Sequence, residues 1–287
     1  MIAAGIEYDA VGDGPAVVCL HGIGGGIESF RAQMAGIAPP SASPLLGALP
    51  PNPRGTYEEK KLGSGLVGYR VISWNMPGYG ASVAAEWPPS FESLSVALAV
   101  FIEALDLGMV HLVGQSIGGM LALEHAVRRP DQVATLSLIG TTPSFGGRDE
   151  SFREAFLKAR LAPLEAGIGM AEMAAQAAPN IVGPGALAAV IADVAAPMAA
   201  VPEATWRGIL ECLVRFNRRD DLGAVHVPCC LIAGGFDQNA PARTMEKMAA
   251  RLAHAEYHLI ERAGHMINQE APAETNDILL NFLGKHS

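Results

Sequence analysis

Apolar residues in this chain gather in short, nearly continuous runs. The segments AVVCL (Ala16–Leu20), YRVISW (Tyr69–Trp74), VHLVG (Val110–Gly114), VATLSLIG (Val133–Gly140), CCLIAGG (Cys229–Gly235) and EYHLIE (Glu256–Glu261) read as strands. A strand without polar alternation is apolar on both sides, as a parallel sheet covered by helices on both faces requires. Between these runs the spacing becomes helical. SFESLSVALAVFIEALDL begins with Ser90 as an N-cap and keeps Glu92 and Glu103 outward. GGMLALEHAVRRP stops near Pro130, and PAETNDILLNFLGK forms a closing helix with Gly284 near its end. Strand, helix, strand in repetition predicts an α/β sheet with right-handed crossovers.

Two segments break the rhythm. Residues 38–68 contain PPSASPLLGALPPNPRG, with six prolines between Pro39 and Pro53, which excludes a regular helix or central strand. A long loop is expected, either shaping a pocket entrance or lying free in solvent. Residues 143–222 carry amphipathic patterns, clearest in SFREAFLKARLAPLEAG and PEATWRGILECLVRFNRRDDL, without a strand. The expected organisation is a first core part over 1–142, a helical cap over 143–222 and a second core part over 223–287.

Composition narrows the function. The net charge is -9 with no basic block, which excludes nucleic acid as a partner. The N-terminus lacks the cationic start of a secretion signal, and the alanine-rich middle is broken by Pro179, Pro184 and Pro197. No stretch approaches the roughly 20 apolar residues of a membrane span. A cytoplasmic protein with no membrane partner is expected. Cys19, Cys212, Cys229 and Cys230 form no C-x-x-C pair, so buried reduced thiols are expected and no metal site.

The chemistry concentrates at strand ends. Gly114-Gln115-Ser116-Ile117-Gly118 is a G-x-S-x-G match that follows a strand and opens a helix. There the glycines permit a sharp turn that presents Ser116 Oγ at the sheet's carboxyl edge. A serine hydroxyl needs a base near pH 7, and His265, in the small-residue loop ERAGHMINQEAP after the last strand, is placed to serve. The imidazole needs a carboxylate to fix its tautomer; Asp237, in GGFDQNAP, also follows a strand. Asp220 and Asp221 lie nearer the cap, where they end a helix or pair with Arg218 and Arg219. CLHGIGGG turns a backbone N–H, that of Ile23, toward a developing oxyanion, beside that of Ile117. Gly22, Gln115 and Met266 are the candidate substrate contacts. His21 is expected to be structural, its ring bonded to nearby backbone. The glycine-rich turn meets neither the phosphate-loop nor the dinucleotide pattern, since Glu28 stands near the helix start and the last glycine is missing.

With HGIGGG, NMPGYGAS (Asn75–Ser82), GQSIGG, GGFDQNAP and AGHMINQEAP in order, the chain resembles the α/β-hydrolase fold superfamily along nearly its whole length. It is most similar to small capped esterases and lactonases, including the 3-oxoadipate enol-lactonase-like group. The resemblance implies a mostly parallel eight-stranded sheet with helices on both faces, a helical cap, no cofactor and a small-molecule ester or lactone substrate. Ser116 stands where epoxide hydrolases and haloalkane dehalogenases carry Asp. Gln115 and Met266 stand where carbon–carbon-bond hydrolases typically carry Asn and Trp, and Asn75 where relatives often carry Asp. A carbon–carbon-bond hydrolase and a non-catalytic ligand-binding protein remain the alternative readings. Arg153, Arg160, Arg207 and Arg215 either clamp a substrate carboxylate or occupy solvated helix faces.

Overall fold

The computed structural model describes residues 1–38, 68–84, 86–145 and 150–286. Its strands are β1 (Ile2–Ala3), β2 (Ile6–Val11), β3 (Ala16–Leu20), β4 (Arg70–Trp74), β5 (Val110–Gln115), β6 (Val133–Ile139), β7 (Cys229–Gly234) and β8 (Ala255–Ile260). They form one sheet in the order β1-β2-β4-β3-β5-β6-β7-β8. The β1–β2 and β2–β4 pairs are antiparallel and the remaining pairs parallel. The fold is that of an α/β hydrolase. The proline-rich stretch expected to loop across 38–68 lies outside the described residues except at its two ends.

The continuous apolar runs have a direct geometric cause. Successive side chains of a strand point to opposite faces. Val18 and Leu20 of β3 join one core with Ile72, Trp74, Leu112, Leu136 and Leu231. Val17 and Cys19 join the other with Val71, Val113, Cys230 and Ile232. The first face is covered by α2 (Phe91–Ala104), α3 (Ile117–Arg128) and α8 (Ala242–Ala249). The second is covered by α1 (Arg31–Ile37) and, near the chain's end, by α10 (Pro272–Leu283), which follows the short α9 (Ile267–Glu270). Ser90 caps α2 as expected: its Oγ accepts the Ser93 N–H at 3.0 Å, and the Ser93 Oγ accepts the Ser90 N–H at 2.9 Å. Such a cap is worth about 1 kcal/mol. Packing contributes more. Phe101 is wholly buried between Tyr8 and Trp74, with ring centroids 5.3 and 5.9 Å away, and a ring so buried gains roughly 1.5–3 kcal/mol.

Between β6 and β7 come α4 (Glu150–Glu165), α5 (Met170–Ile181), α6 (Ala188–Ala200) and α7 (Glu203–Leu213). The prolines break this region less than the sequence suggested. Pro179 lies inside α5 and Pro197 inside α6; only Pro184 falls between helices. Each of the two sits in the last turn or so of its helix, which ends two or three residues beyond it. Among the described residues no helix is long and apolar enough to cross a membrane.

β1 and β2 were not legible as strands. β2 reads Ile-Glu-Tyr-Asp-Ala-Val and over its first four residues alternates buried with more exposed positions, the pattern of an antiparallel strand with one face toward solvent.

Candidate active site

β5 ends at Gln115 and α3 starts at Ile117, leaving Ser116 alone at the junction with φ 54° and ψ -121°. Such a backbone costs a non-glycine residue about 1–3 kcal/mol and persists only where neighbours over-determine it. Here they do. The Ser116 N–H donates to the Ile139 carbonyl at 2.9 Å; the Ser116 carbonyl accepts from Gly119 N at 2.9 Å, Met120 N at 3.1 Å and Thr141 Oγ1 at 2.7 Å. The glycines are required by close approach. A Cβ at Gly114 would lie 2.3 Å from the Gly118 carbonyl oxygen, and one at Gly118 would lie 2.0 Å from that of Leu20. The elbow is thus packed backbone-to-backbone against the end of β3, with the serine hydroxyl side outward.

His265 reaches this hydroxyl from the loop after β8, its Nε2 3.0 Å from Ser116 Oγ. Its Nδ1 lies 2.9 Å from Asp237 Oδ2, in the turn after β7. The other oxygen of Asp237 accepts from Asn239 N at 2.8 Å and Ala240 N at 2.9 Å. Asp237 is 2% exposed. Burial alone would raise its pKa, but the hydrogen bond and charge of His265 and the two backbone donors outweigh it, holding the carboxyl below its ordinary 3.8. Three side chains far apart in sequence therefore meet at the carboxyl ends of β5, β7 and β8, the edge where open parallel sheets build sites.

The glycine-rich turn after β3 borders the same space: a Cβ on Gly22 would lie 3.4 Å from Ser116 Cβ. His21 organises this turn. The Met76 N–H donates to its Nε2 at 3.0 Å, so the other nitrogen carries the proton and donates to the Gly22 carbonyl at 2.8 Å. Gly25 N donates to that same carbonyl at 2.9 Å. Because a trans peptide points its C=O and N–H oppositely, anchoring the Gly22 carbonyl fixes the direction of the Ile23 N–H. Tyr79 Oη then donates to the Ile23 carbonyl at 2.7 Å. Ile117 opens α3, so its N–H is among the donors that a helix start leaves without an intrahelical partner.

Burial pushes the His21 pKa down to about 4, and that of His125, which meets Ser95 Oγ at 3.1 Å between α3 and α2, also to about 4. The unfolded chain takes up a proton at each near 6.5, whereas the folded chain refuses it until near 4. Stability is therefore full above that upper value and falls with pH across the window, by roughly 1.4 kcal/mol per unit for each histidine. Urea unfolding followed from pH 7 to 4.5 is expected to show this decline; a flat profile would mean that neither ring is held neutral.

The three candidate substrate contacts all lie in the frame around the site. Gln115 is 3% exposed and its amide donates to the His265 carbonyl at 3.0 Å. Met266 is buried against Ala178 and Val194 of α5 and α6. Gly22 is occupied in the turn just described. Asp221 pairs with Arg218 at 3.0 Å as expected, but Asp220 faces Arg251 at 4.0 Å because Arg218 turns its remaining donors to the buried Glu124. Arg153 and Arg207 meet Glu150 and Glu203 on their own helices, and Arg160 stacks over Phe156. All four cysteines are buried with free thiols, and burial raises the pKa of Cys212, Cys229 and Cys230 to about 12, far from nucleophilic. Sequence reasoning missed Thr141, Tyr79 and Glu270, whose polar atoms bond backbone groups and so leave no side-chain spacing to read.

Comparison with known proteins agrees with this architecture. The sequence profile described as "Alpha/beta hydrolase family" matches residues 17–278. The chain is 30% identical over 240 residues to the dihydrolipoyllysine-residue acetyltransferase component of the acetoin cleaving system of Pseudomonas putida, covering 76% of this chain and 57% of that protein. The chain thus spans little more than half of that relative's length. It is 24% identical over 290 residues to the pimeloyl-acyl-carrier-protein methyl ester esterase of Aeromonas hydrophila subsp. hydrophila, covering 97% of this chain and 99% of the relative. The crystal structure of the enol-lactonase from Burkholderia xenovorans LB400 superposes with a TM-score of 0.78 at 18% identity, over 98% of both chains.

Proposed function

The chain belongs to the alpha/beta hydrolase family, and on that premise we propose that it is a serine hydrolase cleaving carboxylic esters or lactones through an acyl-enzyme on Ser116. The observation that carries the reading is the doubly bonded imidazole: His265 spans Ser116 Oγ at 3.0 Å and Asp237 Oδ2 at 2.9 Å. Ser116 attacks the substrate carbonyl while His265 takes its proton. Asp237, a carboxylate acceptor toward Nδ1, keeps the imidazole in the tautomer that leaves Nε2 free to do so. The N–H groups of Ile23 and Ile117 receive the oxyanion. His265 returns the proton to the leaving alkoxide, then activates the water that releases the acyl group and restores Ser116. The reaction needs no cofactor.

The helices α4 to α7 act as a cap over this edge and shape an apolar pocket for a small-molecule substrate. Similarity to an ester-cleaving relative supports the ester class. A fluorophosphonate probe is the test. It is expected to label Ser116 alone and to abolish turnover of short p-nitrophenyl esters and simple lactones in proportion to labelling. Turnover that survives full labelling would refute the assignment, and labelling without turnover of any ester or lactone would refute the substrate class.

A further inference from the structure

The backbone of the loop that carries His265 is anchored at several points. The His265 N–H donates to the Ile181 carbonyl at the end of α5, at 2.7 Å. Its carbonyl accepts from Gln115 at 3.0 Å. On either side of it, the N–H groups of Gly264 and Met266 donate to Glu270 Oε1, each at 3.0 Å. Glu270 Oε2 accepts from Gly264 again at 3.0 Å and from Gly183 at 2.6 Å. Gly183 lies two residues beyond the end of α5, so one carboxylate fastens the histidine loop to the exit of a helix more than eighty residues earlier.

Steric evidence, independent of these bonds, points the same way. A Cβ on Gly183 would lie 2.4 Å from the Arg262 carbonyl oxygen, and one on Gly264 would lie 2.4 Å from the Gly183 nitrogen. The two segments touch backbone to backbone, which only glycine at both positions allows. Met266 continues the contact into the α5–α6 pair through Ala178 and Val194. α6 in turn lies on the glycine-rich turn after β3, where a Cβ on Gly24 would lie 2.6 Å from Met198 Cε. The α5–α6 pair therefore rests on both loops that frame Ser116.

We propose that Glu270 is a positioning residue for His265, its carboxylate latching the histidine loop to the exit of α5 so that imidazole and cap helices are held as one unit. This rests on the reading of His265 as the reacting base. A carboxylate suits the position for a chemical reason. All three partners are donors, so both oxygens must accept, and charge-assisted bonds of this kind are roughly twice as strong as neutral ones. Among the described residues Glu270 makes no ion pair, so these amide hydrogen bonds are what stabilise its charge. Glutamine matches its shape but not its chemistry: either orientation of the amide sets an NH₂ against the N–H of Gly183 or of Met266.

The test compares Glu270→Gln and Glu270→Ala with wild type and with Glu274→Gln, which removes only the surface partner of Arg262 on the same loop. Deuterium exchange of peptides covering 181–184 and 262–266 is read alongside kcat and KM for a p-nitrophenyl ester, with active sites counted by fluorophosphonate labelling. Glu270→Gln is expected to speed exchange in both segments together, about tenfold, because the latch couples them. It is also expected to lower kcat per labelled site about tenfold with KM within roughly threefold, as misplacement of a reacting group does. Glu274→Gln should do neither. A purely structural role would lower the melting temperature and leave kcat per labelled site unchanged, and that result overturns the proposal. So does unchanged exchange in either segment of the isosteric Gln variant, whatever becomes of Glu270→Ala. Absence of Ser116-dependent turnover in the wild-type protein would instead overturn the hydrolase reading, while the exchange arm still judges the latch.

Discussion

Ser116→Ala is expected to lower kcat on ester substrates by about 10⁵, close to the background set by oxyanion donors and binding alone. That corresponds to about 7 kcal/mol of transition-state stabilisation. The variant should fold, because every interaction that holds the elbow uses the backbone of residue 116. Its N–H goes to Ile139, and its carbonyl takes Gly119, Met120 and Thr141; among the described residues the hydroxyl meets only His265. The positive φ of 54° strains alanine no more than serine. Removing a hydroxyl from a strained functional position is also the kind of change that leaves stability equal or slightly higher. The decisive measurement is therefore kcat beside a urea titration of the same sample. Turnover within tenfold of wild type in a folded variant would mean that another group is the nucleophile.

How much of this site the sequence discloses depends on where each residue's partners lie. Ser116 is legible because its glycines must be small: Gly114 and Gly118 touch backbone, and that demand is written as a fixed local spacing. Asp237 and His265 are legible because each follows an apolar run, and a run's carboxyl end is where a parallel sheet places its chemistry. The runs themselves stand out because both faces of β3 through β7 are buried, so no polar alternation interrupts them. β2 escapes for the opposite reason, since Glu7 and Asp9 break its pattern at the sheet's antiparallel side.

Residues that bond distant backbone were out of reach. Gln115 sits beside Ser116, and no local spacing shows that its amide bonds the His265 carbonyl 150 positions away. Glu270 gathers N–H groups from two loops, and nothing in an amino-acid string marks which amides lack a partner. The prolines of α5 and α6 mislead in a third way: each marks the approach of a helix end but not its position, and the helices run on two and three residues past Pro179 and Pro197.

Asp237→Asn is expected to cost about 10⁴ in kcat/KM while leaving the fold intact. The geometry dictates which way the new amide faces. Oδ1 accepts two backbone N–H groups, from Asn239 and Ala240, and an NH₂ placed there would oppose both donors. The amide oxygen must therefore take that place, leaving the NH₂ against His265 Nδ1. That nitrogen then has to accept, the ring proton moves to Nε2, and Nε2–H points at Ser116 Oγ, from which it can no longer take a proton. The negative charge that stabilises the imidazolium during the reaction is lost as well. Both effects fall on proton transfer rather than on the pocket, so kcat should carry the loss while KM moves little. Fluorophosphonate labelling should slow by a similar factor, since phosphonylation needs the same base. If Asp237→Asn labelled and turned over within tenfold of wild type, the carboxylate would be only a structural tie for the turn after β7, and His265 would have to be oriented by its backbone bonds to Ile181 and Gln115 alone.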